Sequence, residues 1–453
     1  MIMNPSTAEA QRVYRIVPGV YYRQVTDWVY LRNVNTRMDY RLNRGAYAIL
    51  NAFRSPSSMA TVASCLKERF DVSDEELMGL LAGFVDRLCG MGVLECIDDA
   101  AVVGKVDIPS QIQMDCGKTD RLWSACLEIT YRCNEKCRHC YLDRGDEVHQ
   151  DGELELDEYR RLVGELRELG AMSVLITGGE PTVRKDFLDI CKLVSSSGML
   201  LNVYTNALSL DESCLDVFRD LHVNSVSCSL YGGGAFHDWV TRVPGSYERS
   251  FGNLLKLKAA GLDVYVKTVL FHGQLDEYRK LVSRCAHYGI KVVATPFLIQ
   301  GHSGESKAGL SVDENELGEY YKMEGANASL GLDGEQGQGV QRSGDEYVCA
   351  AGHTTLSVNP YGDVFACNAC PEPVGNIRTS SLANIWRGSE ELARLRSYRL
   401  RDVTPHCASC PDSGNCMTCV GAMLRENGGR LAPCSTTCRN ARIYSKMTSD
   451  KNR

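Results

Sequence analysis

A chain of 453 residues, 44% hydrophobic and 24% charged, holds material for about three domains, which excludes a minimal disulfide-stapled scaffold, wholesale disorder and a membrane-embedded class. With 50 Lys and Arg against 57 Asp and Glu the net charge is -7, so nothing global attracts a phosphate backbone and a nucleic-acid partner is disfavoured. No apolar run reaches the roughly 18 residues of a membrane span and residues 1–10 lack the regions of a signal peptide, so no membrane association and a cytoplasmic location are expected.

In chain order, residues 12–99 read as a module of their own. Short Val- and Tyr-rich strand-like runs at 13–17, 20–23 and 28–33 are punctuated by Pro18-Gly19. Helical periodicity follows at 42–53, 59–70 and 74–89, stopped by Gly90 and Gly92, and a last strand is expected at 93–97. The polar stretch 100–122 reads as a linker. From Trp123 strand and helix alternate as in parallel βα units, with strands at 125–130, 173–177, 200–205, 225–230, 263–270 and 291–297. Helices such as 156–169, 186–196, 247–260 and 275–288 fall between them. Six units over 123–300 predict an α/β fold, a partial (β/α)6 TIM-like barrel that gathers its ligands at the strand C-terminal ends. The stretch 301–346, rich in Gly, Glu and Ser, reads as a connecting segment, and 347–445 is dense in cysteine.

In a reducing compartment the 21 cysteines are better explained by metal or cluster ligation than by disulfides. Three of them, Cys133, Cys137 and Cys140, form C-x3-C-x2-C in the loop after the first barrel strand. Such thiolates can hold three irons of a 4Fe-4S cluster and leave the fourth iron open. A zinc site with His139 as fourth ligand also fits the spacing. The second strand ends in Thr177-Gly178-Gly179-Glu180-Pro181, where glycine lets a ligand lie against bare backbone and Glu180 can accept hydrogen bonds from an amine.

Together, on a βα background, these motifs resemble the radical S-adenosylmethionine (SAM) superfamily. In that family the open iron is chelated by SAM, whose reductive cleavage yields a 5′-deoxyadenosyl radical. The resemblance implies Cys133, Cys137 and Cys140 as the catalytic cluster ligands, His139 in the aromatic place before the last cysteine and Tyr141 after it. It further implies Gly178, Gly179, Glu180 and Pro181 around the methionine amine, Thr205 and Asn206 beside the ribose, Ser229 near the same pocket, and Arg242 for the SAM carboxylate. Ala207 stands where relatives often carry glycine.

The last quarter holds Cys349, Gly362-x4-Cys367, Cys370, Cys407-x2-Cys410-x5-Cys416-x2-Cys419, Cys434 and Cys438. This resembles the SPASM extension of radical SAM enzymes, with the Cys416 to Cys419 gap one residue short. The resemblance implies two auxiliary 4Fe-4S clusters, three in all: one on Cys349, Cys367 and Cys419, with Cys370, Cys434 or an open iron completing it, the other on Cys407, Cys410, Cys416 and Cys438. A pair of zinc ribbons is the alternative that the C-x2-C repeats allow.

Arg41-Leu42-Asn43-Arg44-Gly45-Ala46-Tyr47 and the helices after it resemble the RiPP recognition element, a winged-helix-like module that captures the leader of a ribosomally made precursor peptide by strand addition. The combined expectation is a peptide maturase: hydrogen abstraction from the precursor, then an intramolecular carbon-carbon or thioether cross-link, with an external electron donor such as flavodoxin or ferredoxin. An anaerobic sulfatase-maturating enzyme and a metal-dependent winged-helix regulator are the rival readings. Asn368 rather than a carboxylate follows Cys367, which weakens the first rival.

Overall fold

The computed structural model describes residues 7–25, 28–67, 73–97, 121–142, 151–296, 298, 307–324 and 342–449. Two units, Met1–Thr119 and Asp120–Arg453, are each built around their own core.

The strands of the first are β1 (Val13–Ile16), β2 (Val20–Val25), β3 (Trp28–Asn33), β4 (Met38–Asn43), β5 (Ser57–Ser58) and β6 (Leu94–Ile97). They pair antiparallel as two sheets, β5-β1-β6 and β2-β3-β4. Period-2 alternation turns Val29 and Leu31 of β3 inward, both fully buried. Helices Arg44–Ala52, Met59–Leu66 and Asp74–Gly90 lay Leu50, Leu66, Leu81, Val85 and Leu88 into the same core. The helix expected from residue 42 begins at Arg44, because Leu42 and Asn43 close β4, a strand the sequence reading passed over although Met38-Asp39-Tyr40-Arg41-Leu42-Asn43 alternates apolar with polar residues. Asn43 then caps the helix, its Oδ1 accepting from Ala46 N at 3.2 Å. Residues 68–70 of the second expected helix and most of the expected linker lie outside the described residues.

In the second unit β7 (Ser124–Glu128), β8 (Ser173–Thr177), β9 (Leu200–Thr205), β10 (Ser225–Ser229), β11 (Val264–Val269) and β12 (Lys291–Thr295) run parallel in sequence order. All six coincide with expected strands, trimmed by a residue or two at some ends; residue 297 lies outside the described residues. Beyond β7 the sheet continues with β13 (Thr355–Val358), parallel to it, then β14 (Asp363–Phe365) and β15 (Gly375–Asn376), antiparallel. The cysteine-rich tail therefore adds three strands to the barrel's own sheet. Helices Glu212–Asp220 and Gly234–Thr241, not expected, complete two βα units, and Glu314–Glu324 occupies part of the stretch read as a connection.

Along these strands one face is apolar. Ala125, Leu127, Val174, Ile176, Val203 and Val226 are buried against the helices. The other face, the lumen, carries Cys126, Glu128, Tyr204, Ser227, Tyr265 and Lys267 by the same alternation. Among the described residues no helix is long and apolar enough to cross a membrane.

Candidate metal and cofactor site

The loop that follows β7 is pinned on three sides. Beneath it lies buried Glu153, whose Oε1 accepts from Thr130 Oγ1 at 2.5 Å while Oε2 pairs with Arg132 at 3.2 Å and Arg184 at 3.6 Å. Arg184, itself buried, also donates to the Ile129 and Leu154 carbonyls and bidentately to Asp186. Beside the loop runs the turn after β8: Gly179 N donates to Thr130 O at 2.7 Å and Glu180 N to Arg132 O at 2.9 Å. A Cβ on Gly178 or Gly179 would lie closer than 3.0 Å to the backbone of residues 130–132. What presses against these glycines is thus the chain's own backbone, one residue before Cys133. On the third side Val240 and Thr241, the last carbonyls of helix Gly234–Thr241, accept from Arg138 N and Lys136 N at 2.9 and 3.1 Å. Arg138 lies over the Trp239 ring at 4.3 Å.

Cys133, Cys137 and Cys140 are brought together at this place. Cys133 Sγ accepts from Glu135 N at 3.4 Å and Asn206 Nδ2 at 3.8 Å. Burial pushes the Cys137 thiol well above its ordinary range, and Glu135, Cys133 and Cys140 add to the push, so all three sulfurs lie within electrostatic reach. A cationic metal reverses that balance and favours the thiolates. His139 packs edge-on to Tyr231 and Phe271, with burial holding its imidazole down at about 4, hence neutral. Tyr231 in turn hydrogen-bonds Ser229. Tyr141 points away, its hydroxyl donating to Glu128 Oε1 at 2.5 Å.

Glu180 is fully buried, and its carboxylate is largely spoken for. Oε1 accepts from Thr182 N, Thr182 Oγ1 and Thr205 Oγ1; Oε2 accepts from Asn206 N at 2.6 Å and keeps room for one further donor. Burial raises its pKa against these four donors. Thr205 and Asn206 thereby join the same turn, and Asn206 Nδ2 reaches Asn134 Oδ1 at 2.6 Å. Ala207 is left-handed at φ 59, the conformation for which glycine is the unstrained choice. Pro181 opens the short helix Pro181–Val183 and is buried. Arg242, also left-handed at φ 60, ends helix Gly234–Thr241 beside the cysteine loop and is exposed.

The tail's cysteines fall into two groups. Cys349, Cys367 and Cys419 all act electrostatically on Cys370, whose thiol is raised first by burial and then by them. Packing explains the proximity: Cys370 N donates to Cys367 O at 2.9 Å, and helix Val420–Glu426 abuts that turn so closely that a Cβ on Gly421 would meet Ala369 inside 3.0 Å. Cys416 is raised by burial and then by Cys438, Cys407 and Cys410. Cys434 belongs to neither group: its thiol donates to Glu426 Oε2 at 3.0 Å and is pushed up to about 11.

Sequence reasoning passed over Glu153, Arg184, Glu128 and Lys267, which stand alone in strands or loops without a motif. It also passed over His272, Asp313 and Glu316, which bring one ligand atom each within 4.8 Å. Asp313 and Glu316 cap helix Glu314–Glu324 reciprocally, which accounts for that group as a helix start.

Comparison with known proteins agrees with this geometry. Residues 127–301 match the Radical SAM superfamily and residues 349–411 the SPASM iron-sulfur cluster-binding domain. The chain is 25% identical over 329 residues to the AdoMet-dependent heme synthase of Methanosarcina barkeri, covering 67% of this chain and 93% of that one. It is 27% identical over 304 residues to the mycofactocin maturase MftC of Mycobacterium tuberculosis, covering 64% and 75%. The crystal structure of Streptococcus suis SuiB bound to precursor peptide SuiA superposes with a TM-score of 0.62 at 15% identity, covering 94% of this chain and 99% of that one. With the cysteine loop inside the first match and Cys349, Cys367, Cys370, Cys407 and Cys410 inside the second, the chain is similar over these stretches to radical SAM enzymes that carry a SPASM iron-sulfur domain.

Proposed function

We propose that this enzyme modifies a ribosomally made precursor peptide, abstracting hydrogen from it and closing an intramolecular carbon-carbon or thioether cross-link. The observation that carries the reading is the convergence of Cys133, Cys137 and Cys140 with the turns at 178–180 and 205–206. It stands beside two further cysteine quartets on a segment sharing the barrel's sheet. Cys133, Cys137 and Cys140 would hold the SAM-binding 4Fe-4S cluster; Cys349, Cys367, Cys370 and Cys419 one auxiliary cluster; and Cys407, Cys410, Cys416 and Cys438 the other. When bound, SAM and the clusters supply one-electron cleavage of SAM to a 5′-deoxyadenosyl radical and an acceptor for the electron the substrate loses.

The chain's own residues orient and seclude. Glu180 Oε2, with the backbone at Gly178 and Gly179, would receive the methionine amine, and Pro181 fixes the exit of that turn. Asn206 and Ser229 line the approach to the ribose, and Arg242 or another cation takes the carboxylate. Neutral His139, wedged against Tyr231 and Phe271, closes the loop against water.

The substrate class rests on the front module. The two sequence relatives cover 64% and 67% of the chain, whereas the peptide-bound SuiB structure covers 94%, so its fold includes a counterpart to much of residues 12–99. That module we read as a leader-binding RiPP recognition element, 123–300 as the partial barrel and 347–445 as the SPASM domain. A flavodoxin or ferredoxin in the cytoplasm would supply the electron. Anaerobic incubation with SAM and dithionite should release 5′-deoxyadenosine. Coexpression with the peptide encoded beside the gene should lighten that peptide by two hydrogens, a change absent when the three loop cysteines are alanine. An unaltered peptide mass would sink the cross-linking reading.

A further inference from the structure

Lys267 is a cation in the lumen that no carboxylate meets among the described residues. It lies on β11 directly across from Ser229 of β10, and its Nζ sits 4.3 Å from the centre of the Tyr204 ring. Tyr204 and Tyr265 meet at their hydroxyls, 3.5 Å apart. Among the described residues no carboxylate pairs with Lys267, and the titratable groups acting on it are Tyr265 and Cys126. Both are neutral at pH 7: burial raises the Tyr265 hydroxyl and pushes the Cys126 thiol well up. Glu128, the acid of this face, takes hydrogen bonds from Tyr131 and Tyr141 and lies within reach of Arg425 instead.

Half-burying an ammonium without a counter-ion carries a cost, and the face of one tyrosine recovers part of it rather than all. A methionine would pack the same stem against Tyr204 with no charge to bury, so packing does not account for the amine. We propose that the Lys267 ammonium is the lumen's receptor for a ligand carboxylate, borne either by an acidic residue of the peptide or by the methionine end of SAM. This rests on the reading of the chain as a SAM-dependent peptide modifier and adds to it a residue that selects for negative charge at the barrel mouth. Burial lowers the pKa of Lys267, as expected for a cation whose partner arrives with the ligand.

The test compares anaerobically prepared wild type, Lys267→Met, Lys267→Arg and Arg242→Gln, all checked for equal iron content; Lys267→Gln serves if Met disturbs the lumen. SAM affinity is measured by calorimetry. Saturation-transfer NMR measures binding of two N-acetylated, C-amidated tripeptides, Gly-Glu-Gly and Gly-Gln-Gly. If the methionine end is the source, Lys267→Met weakens SAM binding by about tenfold or more, Lys267→Arg restores most of it and Arg242→Gln has a lesser effect. If the peptide is the source, SAM affinity is unchanged and a preference for the Glu tripeptide, present in wild type, is lost in Lys267→Met. Unchanged SAM affinity together with equal or absent tripeptide signals in wild type overturns the proposal. Failure of the peptide-modifier reading shows separately, as wild-type enzyme that leaves the coexpressed peptide unaltered, and the calorimetric arm still reports on Lys267.

Discussion

Two tail cysteines, Cys370 and Cys434, show how single side chains divide the work. Cys370 sits within the electrostatic reach of three other tail cysteines, whereas Cys434 donates a hydrogen bond to Glu426 and stays a thiol. A ligand must be a thiolate, so Cys370→Ala should open one iron of an auxiliary cluster, seen as a site-differentiated Mössbauer spectrum and a changed EPR signal. Cys434→Ala should leave both spectra as in wild type; a loss of iron from the latter would reverse the assignment. Glycines divide in the same way. Gly179→Ala drives a methyl into the carbonyls of residues 131–132, and overpacking against backbone costs about 1–3 kcal/mol or more, so Tm should fall together with iron content. Gly164→Ala, inside helix Leu156–Glu168 with nothing within 4 Å of the new methyl, should raise stability by about 0.5–1 kcal/mol in denaturant titration.

Between elements, helix Leu156–Glu168 is tied to the tail by a carboxylate. Arg378 grips Glu158 at 2.7 and 2.9 Å, and Glu155 N adds a bond at 2.8 Å. Led by the Arg378 hydrogen bonds, these hold the Glu158 carboxyl down at about 2, against about 4.3 in an unfolded chain. The folded form therefore gains stability that is whole above about pH 4.3 and is lost as the pH falls toward the folded value. Because Arg378 is 38% exposed, the gain is about 1–2 kcal/mol rather than the full shift. Wild type should lose that much more stability than Glu158→Gln between about pH 5 and about pH 2, measured by urea midpoints. Equal acid sensitivity would show the contact to be idle.

At the scale of the whole molecule, two cores share no buried residue: Leu31, Leu50 and Leu81 belong to one, Leu127, Val203 and Leu254 to the other. A chain beginning at Asp120 should therefore fold, bind iron and release 5′-deoxyadenosine on its own. Its conversion of the precursor should drop by about a hundredfold or more, since the leader no longer raises the local concentration of the core peptide. Undiminished conversion would remove the leader-binding role from residues 12–99 while leaving the chemistry of the barrel untouched.

Local features were legible before any coordinates. The six parallel strands stand out as short runs between helical periods, β8, β11 and β12 rich in Val or Ile, and Cys133, Cys137, Cys140 and Gly178–Glu180 are sequence neighbours whose chemistry depends on spacing. Strand β4 was passed over although its residues alternate apolar with polar, because Leu42 also fits the period of the helix that follows, and helix Glu212–Asp220, about two and a half turns long, carries only Cys214 and Phe218 as buried residues. What the tertiary structure decided is everything that depends on distance across the chain. The Cys349–Cys370–Cys419 grouping, the Glu153–Arg184 support beneath the cysteine loop and the Lys267 ammonium over the Tyr204 ring each join residues from separate strands or loops. A periodicity records which side of its own element a side chain occupies; it carries no record of which other element that side meets.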